Sequence, residues 1–198
     1  MKIDHSLPLE YSTEQNQINI LGFWIFLGAE IMLFGTLFAS YFTLINGTGL
    51  GPTGKEMFEI TPVLLETILL LTSSFIIGLG IHAMRIGNKK AMIVFFGITL
   101  LLGAGFLGIE IYEFTHYVHI GAGLQTSAFT AILLTTLGTH GAHVTFGLFW
   151  GLFIILQVKR DGLTPETANK SFIFSLYWHF LDVVWIFIFS FVYLKGMM

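Results

Sequence analysis

The chain has 198 residues, 55% of them hydrophobic and 11% charged, with a formal net charge of −3 and no cysteine. Soluble domains carry about 25% charged residues, so this deficit, together with 21 phenylalanines, points to a membrane protein. The charge balance and the lack of a basic tract exclude a nucleic-acid partner. The absence of cysteine excludes iron–sulfur clusters, thiolate ligation of haem or copper, c-type haem attachment and disulfides.

Residues 1–19 hold Asp4, Glu10 and Glu14 and no apolar core. They predict a cytoplasmic tail rather than a cleavable signal peptide. A spanning helix needs about 20 mainly apolar residues. Five stretches meet that length, at about 20–45, 62–84, 91–112, 128–158 and 172–194. The expected fold is therefore all-α, one membrane domain over 20–198 built from five transmembrane helices. Its connectors are short and rich in breakers: the cluster from Asn46 to Pro52, the link Gly87-Asn88-Lys89-Lys90, and Asp161-Gly162 leading to Thr164-Pro165-Glu166. No internal repeat of the kind found in inverted-repeat transporters is visible.

Basic residues set the orientation. With five spans, Lys2, Arg85, Lys89, Lys90, Lys159, Arg160 and Lys170 share a side, against Lys55 and Lys195 on the other. Positive residues stay in the cytoplasm, which puts the amino terminus inside and the carboxyl terminus outside.

The polar residues within the spans are the candidates for function. On the first span Glu30 interrupts an apolar run. On the fourth stand His140 and His143, and on the fifth His179 and Asp182, three positions apart on one helical face between Trp178 and Trp185. At 1.5 Å per residue, Glu30 and Asp182 each lie about 15 Å from the inner end of their spans, near the middle of a hydrocarbon core about 30 Å thick. His143 lies near the same level, so Glu30, His143 and Asp182 could meet there, with His140 and His179 a turn away. Two readings stay open for this cluster: a proton-linked or ligand-binding site, and a clamp in which buried acids and imidazoles satisfy one another and fix helix register.

His140-Gly141-Ala142-His143 cannot supply both axial ligands of one haem, because residues a turn apart face the same way. A di-metal carboxylate site would need Glu110-Ile111-Tyr112-Glu113 beside these histidines, but that pair falls at the outer end of its span, a depth mismatch of about 10 Å. Glu110 and Glu113, followed by His116, Tyr117 and His119, are instead expected to form an outer-surface acidic and aromatic belt. Glu66 is expected near the same surface, hydrated or paired. Arg85, Lys89 and Lys90 are expected on anionic headgroups. Gly147 and Gly151, with Gly103, Gly105 and Gly108, suggest close helix packing.

Three of these stretches converge on one family. Gly22-Phe23-Trp24-Ile25-Phe26-Leu27-Gly28-Ala29-Glu30-Ile31-Met32-Leu33-Phe34 resembles the glutamate-bearing helix of subunit III of the haem–copper respiratory oxidases. Thr139-His140-Gly141-Ala142-His143-Val144-Thr145-Phe146-Gly147 resembles its paired-histidine helix, and Trp178-His179-Phe180-Leu181-Asp182-Val183-Val184-Trp185 its carboxy-terminal signature. Glu110 and Glu113 fit the family's acidic pair. The resemblance covers nearly everything after residue 18. The family's larger members have seven helices, so the first two are missing here, and with them half of a lipid-filled cleft. The runs from Asn19 to Glu30 and from Leu137 to Gly141 look most like subunit III of the aa3-type menaquinol oxidases of Gram-positive bacteria.

The resemblance implies an accessory subunit with no catalytic residue, metal or cofactor of its own, in the plasma membrane of a bacterium. The complex would oxidise a quinol, reduce oxygen to water and pump protons. Subunit I would hold the haems and copper, with subunit II and a small subunit IV as further partners. Bound phospholipid and an oxygen route are implied, with Glu30 at the family's carbodiimide-reactive position. The alternatives are subunit III of a cytochrome c oxidase, a small proton-linked transporter built around Glu30, His143 and Asp182, and an integral membrane metalloenzyme.

Overall fold

The computed structural model describes residues 6–49 and 51–197. Lys2, which enters the charge asymmetry, and Leu50 lie outside the described residues. Every regular element among the described residues is helical: a 3₁₀ turn Leu9–Tyr11, α1 Glu14–Leu44, the one-turn α2 Gly54–Met57, α3 Ile60–Arg85, α4 Lys89–His119, α5 Ala128–Asp161, α6 Pro165–Ile188, a π-helical segment Phe189–Leu194 and a last turn α7 Lys195–Met197. Five of them, with α6 continuing through the π segment to Met197, are long and apolar enough to cross a membrane. The five expected spans are all present, but most run longer than the apolar stretches that announced them.

Capping explains the extra length. Helix α1 starts in the polar stretch before residue 20 because the Thr13 hydroxyl accepts from the Asn16 backbone N–H at 3.2 Å. Helix α6 starts at Pro165, well before the apolar run at 172. Thr164 and Thr167 exchange backbone and hydroxyl hydrogen bonds there, and proline at the first position has no N–H to leave unpaired. Between α3 and α4, Gly87 takes φ +75°, which lets the chain reverse at once, and the Asn88 side chain caps α4 by accepting from Ala91 N at 3.1 Å.

Helices α3 and α4 form the most extensive pair. Helix α5 packs on α4 and α6, α6 closes back onto α3, and α1 lies outside this group against α5 and α6. Only 17% of the most apolar window of α1 is buried, against 50% for the last helix. Helix α6 is thus the axis of the bundle. Trp178, Trp185, Phe174 and Tyr177 on it are each 0–1% exposed. A Cβ at Gly103 of α4 would stand 2.7 Å from the Trp178 ring, and one at Gly147 of α5 would stand 3.0 Å from it. The crowded glycines Gly103, Gly147 and Gly151 therefore serve packing inside this chain. Gly108 faces open space.

Residues 6–13 fold across the amino-terminal end of the bundle. Glu10 is buried and accepts from Arg85 at 2.7 Å, while the Arg85 guanidinium also lies over the Phe172 ring. The Asn169 amide donates to the carbonyls of both Glu10 and Asn16 at 3.1 Å. Arg85 therefore has a partner within the chain that its place beside Lys89 and Lys90 did not announce, the buried Glu10 carboxylate, while its guanidinium stays half exposed. Arg85→Ala is expected to release this strap at a cost of about 2 kcal/mol, because the buried Glu10 carboxylate loses its charged donor. Limited proteolysis of the amino-terminal segment should become several-fold faster. Unchanged cleavage would mean that the Asn169 bonds alone hold it.

Candidate functional site

Glu30 and His143 meet across the α1–α5 interface, with Glu30 Oε2 3.1 Å from His143 Nε2. The other ring nitrogen, Nδ1, is 2.7 Å from the Thr139 carbonyl one turn earlier on the same helix. A carbonyl oxygen can only accept, so Nδ1 carries a hydrogen. The Nε2···Oε2 bond then needs one more proton, held by either the carboxyl or the imidazole. The backbone carbonyl of His143 accepts from the Tyr177 hydroxyl at 2.9 Å, tying the α5 turn to α6. The pair is partly accessible, and His143 lines an open apolar groove of ≈280 Å³ with Phe26, Ala142, Phe146 and Tyr177.

Asp182 does not join this pair. It faces α3 instead, beside the Ser74 hydroxyl. His179 uses the same hydroxyl, with Nδ1 2.7 Å from Ser74 Oγ. Among the described residues no ion pair involves Asp182, and its Oδ1 is buried without a hydrogen-bond partner. The expected meeting of Glu30, His143 and Asp182 thus resolves into two separate places, α1–α5 and α3–α6.

What holds the α3–α6 contact is a stripe of hydroxyls that hydropathy reading passes over. The Trp178 indole N–H donates to Ser73 Oγ at 2.9 Å and the Trp185 indole N–H to Thr67 Oγ1 at 3.0 Å. Each hydroxyl hydrogen is already spent on its own helix, Ser73 on Leu70 O at 2.7 Å and Thr67 on Val63 O at 2.8 Å. Each oxygen is therefore left as a pure acceptor for an indole. The two tryptophans are seven residues apart and their acceptors six, running in opposite directions along antiparallel helices.

His140 and the acids of α4 overturn two expectations. His140 is completely buried, stacked on Trp185 at 5.5 Å and edge-on to Phe106 at 5.8 Å, with neither ring nitrogen hydrogen-bonded. Glu110 and Glu113 are not an outer-surface pair: they are 3% and 5% exposed, and Glu66 is 0% exposed. Because α4 continues to His119, Glu110 sits inside the helix and reaches α5. A Cβ on Gly141 would stand 2.6 Å from Glu110 Oε2. The inferred 10 Å offset between Glu110 and the histidine helix is therefore absent; glycine at 141 is what admits the carboxyl. Among the described residues, no three histidine or acidic side chains converge as metal ligands would.

For the Glu30–His143 pair, Glu30→Gln is expected to assemble like the native chain, since the amide N–H can donate to Nε2. Glu30→Ala should cost about 1–3 kcal/mol by stranding that nitrogen. Thermal stability of the solubilised protein separates the two. Equal losses would show that charge, not the hydrogen bond, holds the helices.

Five long apolar helices, with Glu66, Glu110, Glu113, His140 and Asp182 buried among them, define a multi-pass membrane protein. Residues 11–197 match the cytochrome c oxidase subunit III family, and the chain belongs to it. It is 58% identical over 190 residues to quinol oxidase subunit 3 of Bacillus spizizenii and, equally, of Bacillus subtilis, covering 96% of this chain and 93% of each relative. Cytochrome c oxidase subunit 3 of Bacillus sp. (strain PS3) is 49% identical, covering 96% of this chain and 92% of that protein. The chain is accordingly a membrane subunit III of the haem–copper oxidase class, working in a complex with other oxidase subunits.

Proposed function

We propose that the chain is the non-redox subunit III of a proton-pumping quinol:oxygen oxidoreductase. One comparison carries the choice of donor. Against two proteins of the same organism, Bacillus subtilis, identity is 58% to the quinol oxidase subunit 3 and 47% to the cytochrome c oxidase subunit 3, over nearly the same length. In this reading subunit I holds the haems and copper, and subunit II and a small subunit IV complete the complex. This chain packs on subunit I and stabilises it, contributing no catalytic group, metal or cofactor. The open groove lined by His143 supports a role in binding phospholipid chains or admitting oxygen, because it brings an apolar surface to the partly accessible Glu30–His143 pair.

The seven-to-two distribution of lysine and arginine supports a cytoplasmic amino terminus and tail (1–19), an outer carboxyl terminus, and a membrane domain over 20–198 in the bacterial plasma membrane. Affinity purification from gently solubilised membranes tests the whole reading. The tagged chain should bring down a haem-containing polypeptide, and the complex should consume oxygen with a quinol and not with reduced cytochrome c. Elution alone and haem-free would overturn the subunit assignment. Activity with cytochrome c only would overturn the donor.

A further inference from the structure

Toward the end of the bundle opposite the amino terminus, helices α3 and α4 and the π-helical segment bring five polar side chains together. Glu66 comes from α3, Glu110, Glu113 and Tyr117 from α4, and Tyr193 from the π segment. Glu113 Oε2 accepts from Tyr193 Oη at 2.8 Å and from Tyr117 Oη at 3.3 Å. The π turn matters here: its wider winding re-aims the end of the last helix, and such segments recur where a side chain must reach a site. Glu66 and Glu110 have no such donors. All four of their carboxyl oxygens are buried without a partner, and Glu66 faces both Glu113 and Glu110.

Among the described residues no lysine or arginine faces the three acids. The groups acting on Glu113 from outside the cluster are Glu59, just before α3, and His116, one turn further along α4. From α5, Gly141 backs Glu110, and the neighbouring His140 is enclosed by aromatic rings. An ionised carboxylate buried without a donor or counter-ion is far costlier than the neutral acid, and three adjacent negative charges compound the cost.

We propose that Glu66, Glu110 and Glu113 form a proton-binding site. Glu66 and Glu110 hold their protons, and Glu113, the member with two phenol donors, is the seat at which a proton enters and leaves. Exchange runs through a cleft of ≈40 Å³ lined by Met57, Glu59, Pro62, Tyr112, Glu113, His116 and Tyr117. That volume has room for water beside Glu113. The site is separate from the Glu30–His143 pair and independent of which electron donor the complex uses.

Infrared difference spectroscopy of the intact solubilised complex, stepped in pH, tests this. Glu66→Gln and Glu110→Gln, which replace a neutral acid by an amide of the same shape, should each remove one protonated-carboxyl carbonyl band present at neutral pH. Glu113→Gln should remove a band whose intensity follows pH, and Tyr193→Phe should alter that pH profile while leaving the other two bands in place. If Glu66→Gln fails to assemble, Glu110→Gln and Glu113→Gln read the same site. Native intensity in the protonated-carboxyl region of Glu110→Gln would overturn the proposal. A Glu113 band indifferent to pH over the stable range of the complex would overturn the exchange.

Discussion

Trp185→Ala is expected to cost about 3–5 kcal/mol, the range for deleting a fully buried tryptophan from a close-packed core. The ring is 0% exposed and touches three elements at once. Its indole N–H donates to Thr67 on α3, its face stacks on His140 of α5, and the Phe106 ring of α4 meets it edge-on at 4.7 Å and 86°. Alanine would open a cavity next to an imidazole that has no hydrogen bond of its own, and the fused surface between α3, α4 and α5 would lose its central contact. Trp185→Phe separates packing from polarity. It keeps most of the ring and gives up one hydrogen bond, and since the Thr67 hydroxyl still donates to Val63 O, only an acceptor is left open. The expected cost is about 1 kcal/mol. The thermal midpoint for loss of this subunit from the solubilised complex measures both. Equal destabilisation by alanine and phenylalanine would place the strength of the contact in the indole hydrogen bond rather than in the ring.

The five spans were legible because apolar length is a sufficient signal for a membrane helix, and the two-tryptophan signature was legible because His179 and Asp182 are out of place in it. The partners of that signature were not. Ser73, Ser74 and Thr67 are ordinary residues in an apolar helix, and nothing local distinguishes a hydroxyl that caps its own turn from one that also accepts an indole. The signal was relational: acceptors at 67 and 73 and donors at 185 and 178 have nearly constant summed positions, as an antiparallel pair requires. The acids failed for a different reason. Reading Glu110 and Glu113 as the end of a span assumes that a carboxyl marks water. Here α4 continues to His119, and the groups that receive Glu113 include Tyr193, 80 positions further along the chain. Depth counted along one helix says nothing of which neighbour a side chain turns to. Glu30 and His143 did meet, whereas Asp182 turned to α3.

Gly151→Val should cost about 3 kcal/mol, the upper end for overpacking a core. A Cβ at this position would stand 2.6 Å from Leu100 Cδ2 and 2.7 Å from Phe174 Cζ, closer than atoms of packed side chains approach. Leu100 belongs to α4 and Phe174 to α6, so both neighbours of α5 would have to retreat together. A β-branched side chain in a helix has one strongly preferred rotamer and cannot swing its methyls clear. Phe174 is itself fully buried against Phe96 and Trp178, so its displacement would pass to the ring that Gly103 and Gly147 enclose. Gly28→Val is the matched control. That glycine lies on the peripheral α1, and a Cβ there would meet no neighbouring helix within 4 Å. The two variants therefore separate internal packing from packing against a partner. Gly151→Val should lower the yield and thermal stability of the chain itself, while Gly28→Val leaves them at the native level. A folded, stable Gly151→Val chain would refute the inner packing role, and a stable Gly28→Val chain that no longer co-purifies with its partners would place the subunit contact on α1.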